Sequence, residues 1–265
     1  MRFKSLKELK RAEAYEVILA RLPEEIRLTG YAKTKAFMIS DLVRQVHQDS
    51  YEWYGYTLGS RDNPELIIDI GLPKNDENIQ EYTSIGPENI AAYQETLPGD
   101  RIINGWIHSH GELALQEFSG IDAANQQVVL DYVTARVKQP VAKRELVIRD
   151  LAFLVEGRWR TEDLKKGSVS LITDVPIAAA RIMETVYGGF CYAIVIGDSG
   201  WHRQEIHYKR RGILSGQTSI SKKVAEIREL GTSGPFPQVE IAALKEEVRT
   251  KIQPIKYRLA KLESV

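Results

Sequence analysis

Two histidines separated by one residue are the first feature of the chain that could do chemistry. His108 and His110 lie in the segment GWIHSHGELALQEFSGID, residues 105–122. Residues two apart on a β-strand point to the same face, so the two imidazoles would emerge side by side. Such a pair can grip one metal ion when its ring nitrogens converge. The spacing therefore predicts the first two ligands of a metal site.

After a loop of eight residues, Gly111–Phe118, a serine and an aspartate mark the expected start of a helix. Ser119 suits the N-cap position and Asp122 the first turn, where the helix dipole favours a carboxylate. The loop could fold Asp122 back toward the histidines. Two imidazoles, one carboxylate and an open position form a recognised ligand set for catalytic zinc. The His-x-His pair alone is as consistent with a structural role as with metal binding.

The general base is expected from outside this segment, because Glu112 and Glu117 fall in a polar loop that faces solvent. With Glu52 included, the pattern Glu … His-x-His … Ser-x-x-Asp resembles the motif of the JAMM (MPN+) metalloprotease family. The run YEWYGYTLG, residues 51–59, resembles the first core strand of that family, and GWIHSH, residues 105–110, resembles its zinc-binding strand. The resemblance covers about residues 28–135. It implies an α/β fold with a mixed β-sheet flanked by helices, the cytidine-deaminase-like MPN/JAB architecture.

Carried over residue by residue, the resemblance implies a role for each residue of the pattern. Zinc would be held by His108, His110 and Asp122, with Glu52 as the general base and Ser119 stabilising the oxyanion. Zinc lowers the pKa of a bound water molecule to about 7 and polarises a carbonyl group. A carboxylate beside it can transfer the proton, and a hydroxyl donor lowers the barrier to the tetrahedral intermediate.

The substrate follows from the resemblance only. It implies a zinc-dependent isopeptidase or peptidase that removes ubiquitin or a ubiquitin-like protein from conjugates, or processes its precursor. The chain departs from the family at two points, since the loop is one residue longer than usual and Gly111 replaces a common proline. Neither departure removes a ligand. Two alternatives stay open: an MPN-fold scaffold or assembly subunit without protease activity, and a metallohydrolase of small amides.

Apolar periodicity and turn residues predict the elements that must position these residues. Helices are predicted at Ser5–Leu22, Thr34–Gln48, Pro87–Leu97, Ser119–Arg136, Val175–Val186 and Val239–Leu262. Strands are predicted at Ile26–Tyr31, Glu52–Gly59, Glu65–Pro73, Glu81–Ser84, Arg101–His110, Phe190–Gly197 and Trp201–Tyr208. The expected organisation is an N-terminal helical extension (1–25), a metalloprotease domain (26–220) with an insertion at 137–185, and a C-terminal helical extension (221–265).

Composition excludes several classes of function. The 265 residues include 36 Lys plus Arg and 36 Asp plus Glu, so the formal net charge is zero. A neutral chain has no overall field to attract nucleic acid or an anionic membrane. No apolar run approaches the ~18 residues of a membrane span, and the N-terminus lacks the apolar core of a signal peptide. These features predict a cytoplasmic protein that binds neither nucleic acid nor membranes.

Other reactive or charged residues are expected to be structural. Cys191, the single cysteine, lies in a buried apolar run and is a poor candidate for a nucleophile. His202 and His207 are an odd number of residues apart, so on one strand they face opposite sides. The basic segments Lys209–Arg211 and Arg158–Lys166 are expected at the surface. The terminal helices are candidates for contacts with a second copy of the chain or with a partner protein.

Overall fold

The computed structural model describes residues 16–75, 86–113, 116–148, 150–174, 181–232 and 234–254. They fall into two compact units. The larger unit consists of Arg21–Gln139, Gly188–Arg210 and Ser219–Val265, and the smaller unit is built mainly from Pro140–Tyr187 and Arg211–Thr218. All five residues of the motif lie in the larger unit.

The part of the chain that the structure describes contains four α-helices and twelve strands, each numbered in chain order. The helices are α1 (Gly30–His47), α2 (Pro87–Thr96), α3 (Gly120–Arg136) and α4 (Gln238–Lys251). The strands are β1 (Ile26–Thr29), β2 (Trp53–Ser60), β3 (Leu66–Ile67), β4 (Asp69–Gly71), β5 (Arg101–Ser109), β6 (Gln139–Leu146), β7 (Leu151–Val155), β8 (Val169–Thr173), β9 (Ile182–Ile196), β10 (His202–Gly212), β11 (Thr218–Val224) and β12 (Ile227–Leu230). The predicted α/β class with mixed sheets flanked by helices is confirmed.

The main sheet is mixed and has the strand order β11–β10–β9–β5–β2–β4. β2 runs antiparallel to both β5 and β4, whereas β5 and β9 are parallel. A second sheet has the order β12–β1–β3, with parallel pairing throughout. In the smaller unit, β7 and β8 form a parallel pair, and a 3-10 helix covers Thr161–Lys165.

The two faces of the main sheet are covered by different helices. Trp53 and Ile107 belong to one buried cluster, together with apolar residues of α1 and α4. Their strand neighbours Tyr54 and Trp106 belong to the opposite cluster, with apolar residues of α2 and α3. Because side chains alternate across a strand, even-numbered positions of β2 and β5 near the histidine end face α3. That parity also puts His108 on the α3 face.

Several sequence predictions need correction. The described part of the predicted N-terminal helix, residues 16–22, is not helical, and its apolar residues are only loosely periodic. The predicted helix Val175–Val186 is wrong in its described part, because residues 182–186 are the start of the long strand β9. β11 and β12 were not predicted, and they occupy the beginning of the expected C-terminal helical extension.

The ends of two helices also differ from the prediction. α1 begins at Gly30, four residues before the predicted Thr34, because the Thr29 hydroxyl accepts a hydrogen bond from the Ala32 amide and caps the helix. α4 ends at Lys251, ahead of Pro254. The rest of the predicted C-terminal helix, and the predicted strand Glu81–Ser84, lie outside the described residues.

No helix in the described ranges is long and apolar enough to cross a membrane.

Candidate metal centre

β5 and the residue that follows it deliver both histidines to the α3 face. His108 is the penultimate residue of β5 and lies directly opposite Tyr54 of β2. His110 follows the strand, and its amide donates a hydrogen bond of 3.0 Å to the Ile196 carbonyl, which prolongs the alignment with β9. Both imidazoles are buried, each with only 3% of its surface exposed. The strand therefore presents two desolvated rings side by side.

A capping box at the start of α3 positions the carboxylate. The Asp122 amide donates to the Ser119 hydroxyl at 3.2 Å, and the Ser119 amide donates to Asp122 Oδ2 at 2.6 Å. These two bonds satisfy amides that a helix terminus would otherwise leave unpaired. They also fix the Asp122 side chain at the histidine end of the sheet.

The three side chains converge on one point. His108 Nε2 lies 3.1 Å from His110 Nε2 and 3.1 Å from Asp122 Oδ1, and His110 Nε2 lies 3.4 Å from Asp122 Oδ2. A tetrahedral ion with bonds of about 2.0–2.2 Å to nitrogen and oxygen separates its ligands by roughly 3.3–3.5 Å. The observed separations are close to the edges of that tetrahedron. This His-His-Asp group can therefore hold a metal ion.

The electrostatics of the cluster favour the protonation states in which histidine and aspartate can bind a metal ion. Burial lowers the pKa of His108 below its ordinary value, against the opposing effect of Asp122, so the imidazole is held neutral. Burial opposes ionisation of Asp122, but hydrogen bonds from the two histidines outweigh it and lower the pKa of Asp122. A neutral imidazole and an ionised carboxylate are the forms that bind a metal ion.

Aromatic rings, which the sequence analysis did not single out, orient the histidines. The Trp106 indole stacks on the His108 ring with centroids 4.3 Å apart and an interplanar angle of 11°. Within the described residues, His108 Nδ1 has no hydrogen-bond partner, so the stacked indole and the contacts of Nε2 orient this ring. Phe118 lies 5.9 Å from His108 and Trp201 lies 6.1 Å from His110, centroid to centroid. The spacing Trp-x-His on one strand face is the signal that could have identified Trp106.

Glu52 immediately precedes β2 and is half-buried. Trp53 pairs with Ser109 and Tyr54 with His108 in the antiparallel register. Continued by one residue, that register sets Glu52 opposite His110, and alternation gives it the α3 face that Tyr54 shares. The structure therefore brings His108, His110, Asp122 and Ser119 into contact and places Glu52 at the same end of the sheet.

The remaining candidates stay apart from this group. Cys191 is fully buried on β9, and burial raises the pKa of its thiol to about 12, against the opposing hydrogen bond from Gln126. His202 is exposed and is hydrogen bonded to Gln204, whereas His207 is paired with Glu205. Among the described residues, none of these three side chains belongs to the His-His-Asp group.

Fold and site together define an α/β chain with a buried His-His-Asp group at the junction of a strand and a helix. Compared with known protein-family models and with curated proteins, the chain gives no match.

Proposed function

We propose that this chain is a zinc-dependent metallohydrolase with His108, His110 and Asp122 as its ligands. The observation that carries the proposal is the set of ligand separations, 3.1 to 3.4 Å, which fits a small tetrahedral ion. Two imidazoles among three ligands favour zinc over calcium or magnesium, which prefer oxygen donors. A bound zinc ion supplies Lewis acidity toward a carbonyl oxygen and increases the acidity of water.

The chain's own residues divide the remaining work of amide hydrolysis. The Glu52 carboxylate takes the proton of the attacking water and later delivers it to the leaving amine. The Ser119 hydroxyl accepts from the Asp122 amide, and its own proton, which is donated to none of the described residues, can be donated to the developing oxyanion. The Ser119 capping bonds also hold Asp122 in place, so one residue supports both the ligand and the transition state.

The finer assignment is to the JAMM (MPN+) family, with an MPN/JAB domain as the fold. Its support is the order of the elements: α1 precedes Glu52 and β2, β5 carries the histidine pair, and α3 begins with Ser119 and Asp122. This assignment makes ubiquitin or a ubiquitin-like protein the substrate, joined through the carboxyl group of its C-terminal glycine to an amine. The reaction is hydrolysis of that peptide or isopeptide bond.

Metal content and cleavage test the proposal together. Wild-type chain purified with zinc should contain one zinc per chain and should cleave ubiquitin-like fusions, with activity lost on chelation. His108→Ala should lose both zinc and activity. Glu52→Gln should keep the zinc and lose activity by a factor of about 10²–10⁴, the usual contribution of a general base. Exposed His202 provides the matched control, because His202→Ala should retain zinc and activity.

Three outcomes would contradict the proposal, each in a different part. A folded wild-type chain without zinc would favour the scaffold alternative. Full turnover by Glu52→Gln would remove Glu52 as the base. Zinc-dependent cleavage of small amides, with no cleavage of ubiquitin-like fusions, would keep the metallohydrolase and reject its protein substrate.

A further inference from the structure

A cavity of about 440 Å³ lies in the larger unit, at the end of α3 opposite the metal centre. Its wall includes Arg136, the last residue of α3, and Ile102, near the start of β5. Asp122 and Arg136 are 14 residues apart on one helix, which corresponds to roughly 20 Å at 1.5 Å per residue. The cavity is therefore separate from the His-His-Asp group, and its volume falls in the range of small-molecule sites.

Three cationic side chains line the cavity: Arg61, Arg136 and Lys138. No Asp or Glu is among its lining residues in the part of the chain that the structure describes. In a chain whose net charge is zero, the described part of the cavity wall thus has three positive charges and no negative side chain. Such an arrangement attracts an anion.

The cations are available to a ligand. The Arg61 guanidinium uses Nε to donate to the Gly99 carbonyl at 2.5 Å, which fixes the group, and its terminal nitrogens have no hydrogen bond to any of the described residues. The Arg136 guanidinium lies 3.8 Å from the centroid of the Tyr132 ring, an interaction that orients it without using its hydrogen-bond donors. Lys138 has no hydrogen bond or ion pair with any residue in the described ranges.

The interior of the cavity is apolar. Ile102 and Phe190 are buried, with 8% and 1% of their surfaces exposed, and Leu22 and Pro64 also line the wall. Gly188 contributes backbone without a side chain. A free inorganic anion would leave this apolar surface unused, whereas a ligand with an apolar body would cover it.

We propose that this cavity binds a small organic anion, whose phosphate, sulfonate or carboxylate group contacts Arg61, Arg136 and Lys138 and whose apolar body contacts Ile102 and Phe190. Charge-assisted bonds to two guanidinium groups and an ammonium supply the recognition of the charged group. The proposal is independent of the zinc chemistry, because the two sites share no residue.

The test uses a fluorescent probe of the same chemistry, anilinonaphthalene sulfonate, with the full chain. The wild type should bind one probe at this site. The double variant Arg61→Gln/Lys138→Gln should bind it about tenfold more weakly, a loss of roughly 1.4 kcal/mol, because two charged partners are removed. Exposed Arg203 does not line the cavity, so Arg203→Gln makes a matched change of charge and should leave the affinity unchanged.

A neutral probe separates charge from general apolar binding. Phenylnaphthylamine, which lacks the sulfonate, should bind the wild type and the double variant equally. The proposal is wrong if sulfonate affinity is unchanged in the double variant, or if Arg203→Gln weakens it as much. A circular dichroism spectrum, expected to match that of the wild type, excludes misfolding as the cause of a loss. Arg136→Gln tests the contact between the sulfonate and the third cation, and this single variant should also bind the sulfonate probe more weakly than the wild type.

Discussion

Gly111 links the second histidine to the loop that follows β9. Its carbonyl accepts a hydrogen bond of 2.9 Å from the Asp198 amide, and its φ is +56°. Proline, which commonly follows the second histidine in the family that the motif resembles, cannot adopt that φ. A side chain at this position would also overlap the Ser50 hydroxyl, which donates to Asp198 at 2.8 Å. Glycine therefore meets two separate requirements here, one of conformation and one of space.

We predict that Gly111→Ala destabilises the chain more than Gly200→Ala. Gly200 also has a positive φ, +86°, but none of the described residues has an atom within 4 Å of an added Cβ, so Gly200→Ala measures backbone strain alone, about 1 kcal/mol. Gly111→Ala adds the overlap with Ser50 and should cost at least about 2 kcal/mol, measured by urea unfolding. Ser50→Ala should then destabilise the Gly111→Ala variant less than it destabilises the wild type. Equal losses for the two glycine variants would disprove the role of Ser50.

At the level of elements, one buried carboxylate organises the turn between β10 and β11. Glu184 of β9 accepts hydrogen bonds from the Leu214 and Ser215 amides, at 3.1 and 3.0 Å, and from the Ser215 hydroxyl at 2.8 Å. Arg144 of β6 pairs with it at 2.7 Å. Gly212 leaves the space that the carboxylate occupies. All these residues belong to the smaller unit, where Glu184 joins two strands to a turn.

This network predicts a specific dependence of stability on pH. The Ser215 amide, the Arg144 guanidinium and the other donors outweigh burial and lower the pKa of Glu184 from 4.5 to about 2. Because the folded-state pKa is depressed, its contribution to stability is complete above pH 4.5 and is lost as the pH falls toward about 2. Glu184→Gln should therefore be less stable than the wild type at pH 6, and the difference should shrink between pH 4.5 and 2. Urea midpoints measured across this range test it, and a constant difference would contradict the assignment.

The elements that the sequence predicted well are those whose signal is local. β5 is a largely apolar segment that follows a turn, and α3 is preceded by an N-cap serine, so both were predicted within one residue of their observed starts. The prediction of a helix at Val175–Val186 is wrong for residues 182–186, which belong to the 15-residue strand β9. That strand is stabilised by pairing with distant strands, which no local sequence pattern encodes. β12 was missed for the same reason, since it is defined by its parallel pairing with distant β1.

The same distinction applies to the candidate site. Two features of the site can be recognised from neighbouring residues: the two-residue spacing of the histidines, and the N-cap serine ahead of Asp122. The approach of His108 to Asp122 could therefore be anticipated from the sequence. The orientation of His110 beside Trp201 depends on the loop after β9, 91 positions further along the chain, and on Gly197, whose missing side chain makes room for the indole. Contacts of this kind follow from the assembled sheet and have no signature in the neighbouring sequence.

Considered as a whole, the larger unit carries two unlike sites at opposite ends of one helix. The first turn of α3 supplies Asp122 to a desolvated cluster of histidines, and its last residue, Arg136, lines a cavity with two further cations. One end of the helix therefore presents a carboxylate to two imidazoles, and the other end presents a guanidinium to a cavity that two further cations line. Each site can be perturbed without altering the residues of the other.

At the scale of the molecule, the proposed ion ties β5 to α3, two elements that the loop between His110 and Ser119 otherwise connects. A ligand that binds only the folded state stabilises it by RT ln(1 + [L]/Kd), about 2.7 kcal/mol at one hundred times Kd. Zinc at that excess should raise the thermal midpoint of the wild type by roughly 5 °C or more, and chelator should reverse the shift. His110→Ala should show no such shift, whereas exposed His202→Ala should respond as the wild type does. A shift that persists in His110→Ala would place the zinc elsewhere, since binding through His108 and Asp122 alone could not retain the full linkage.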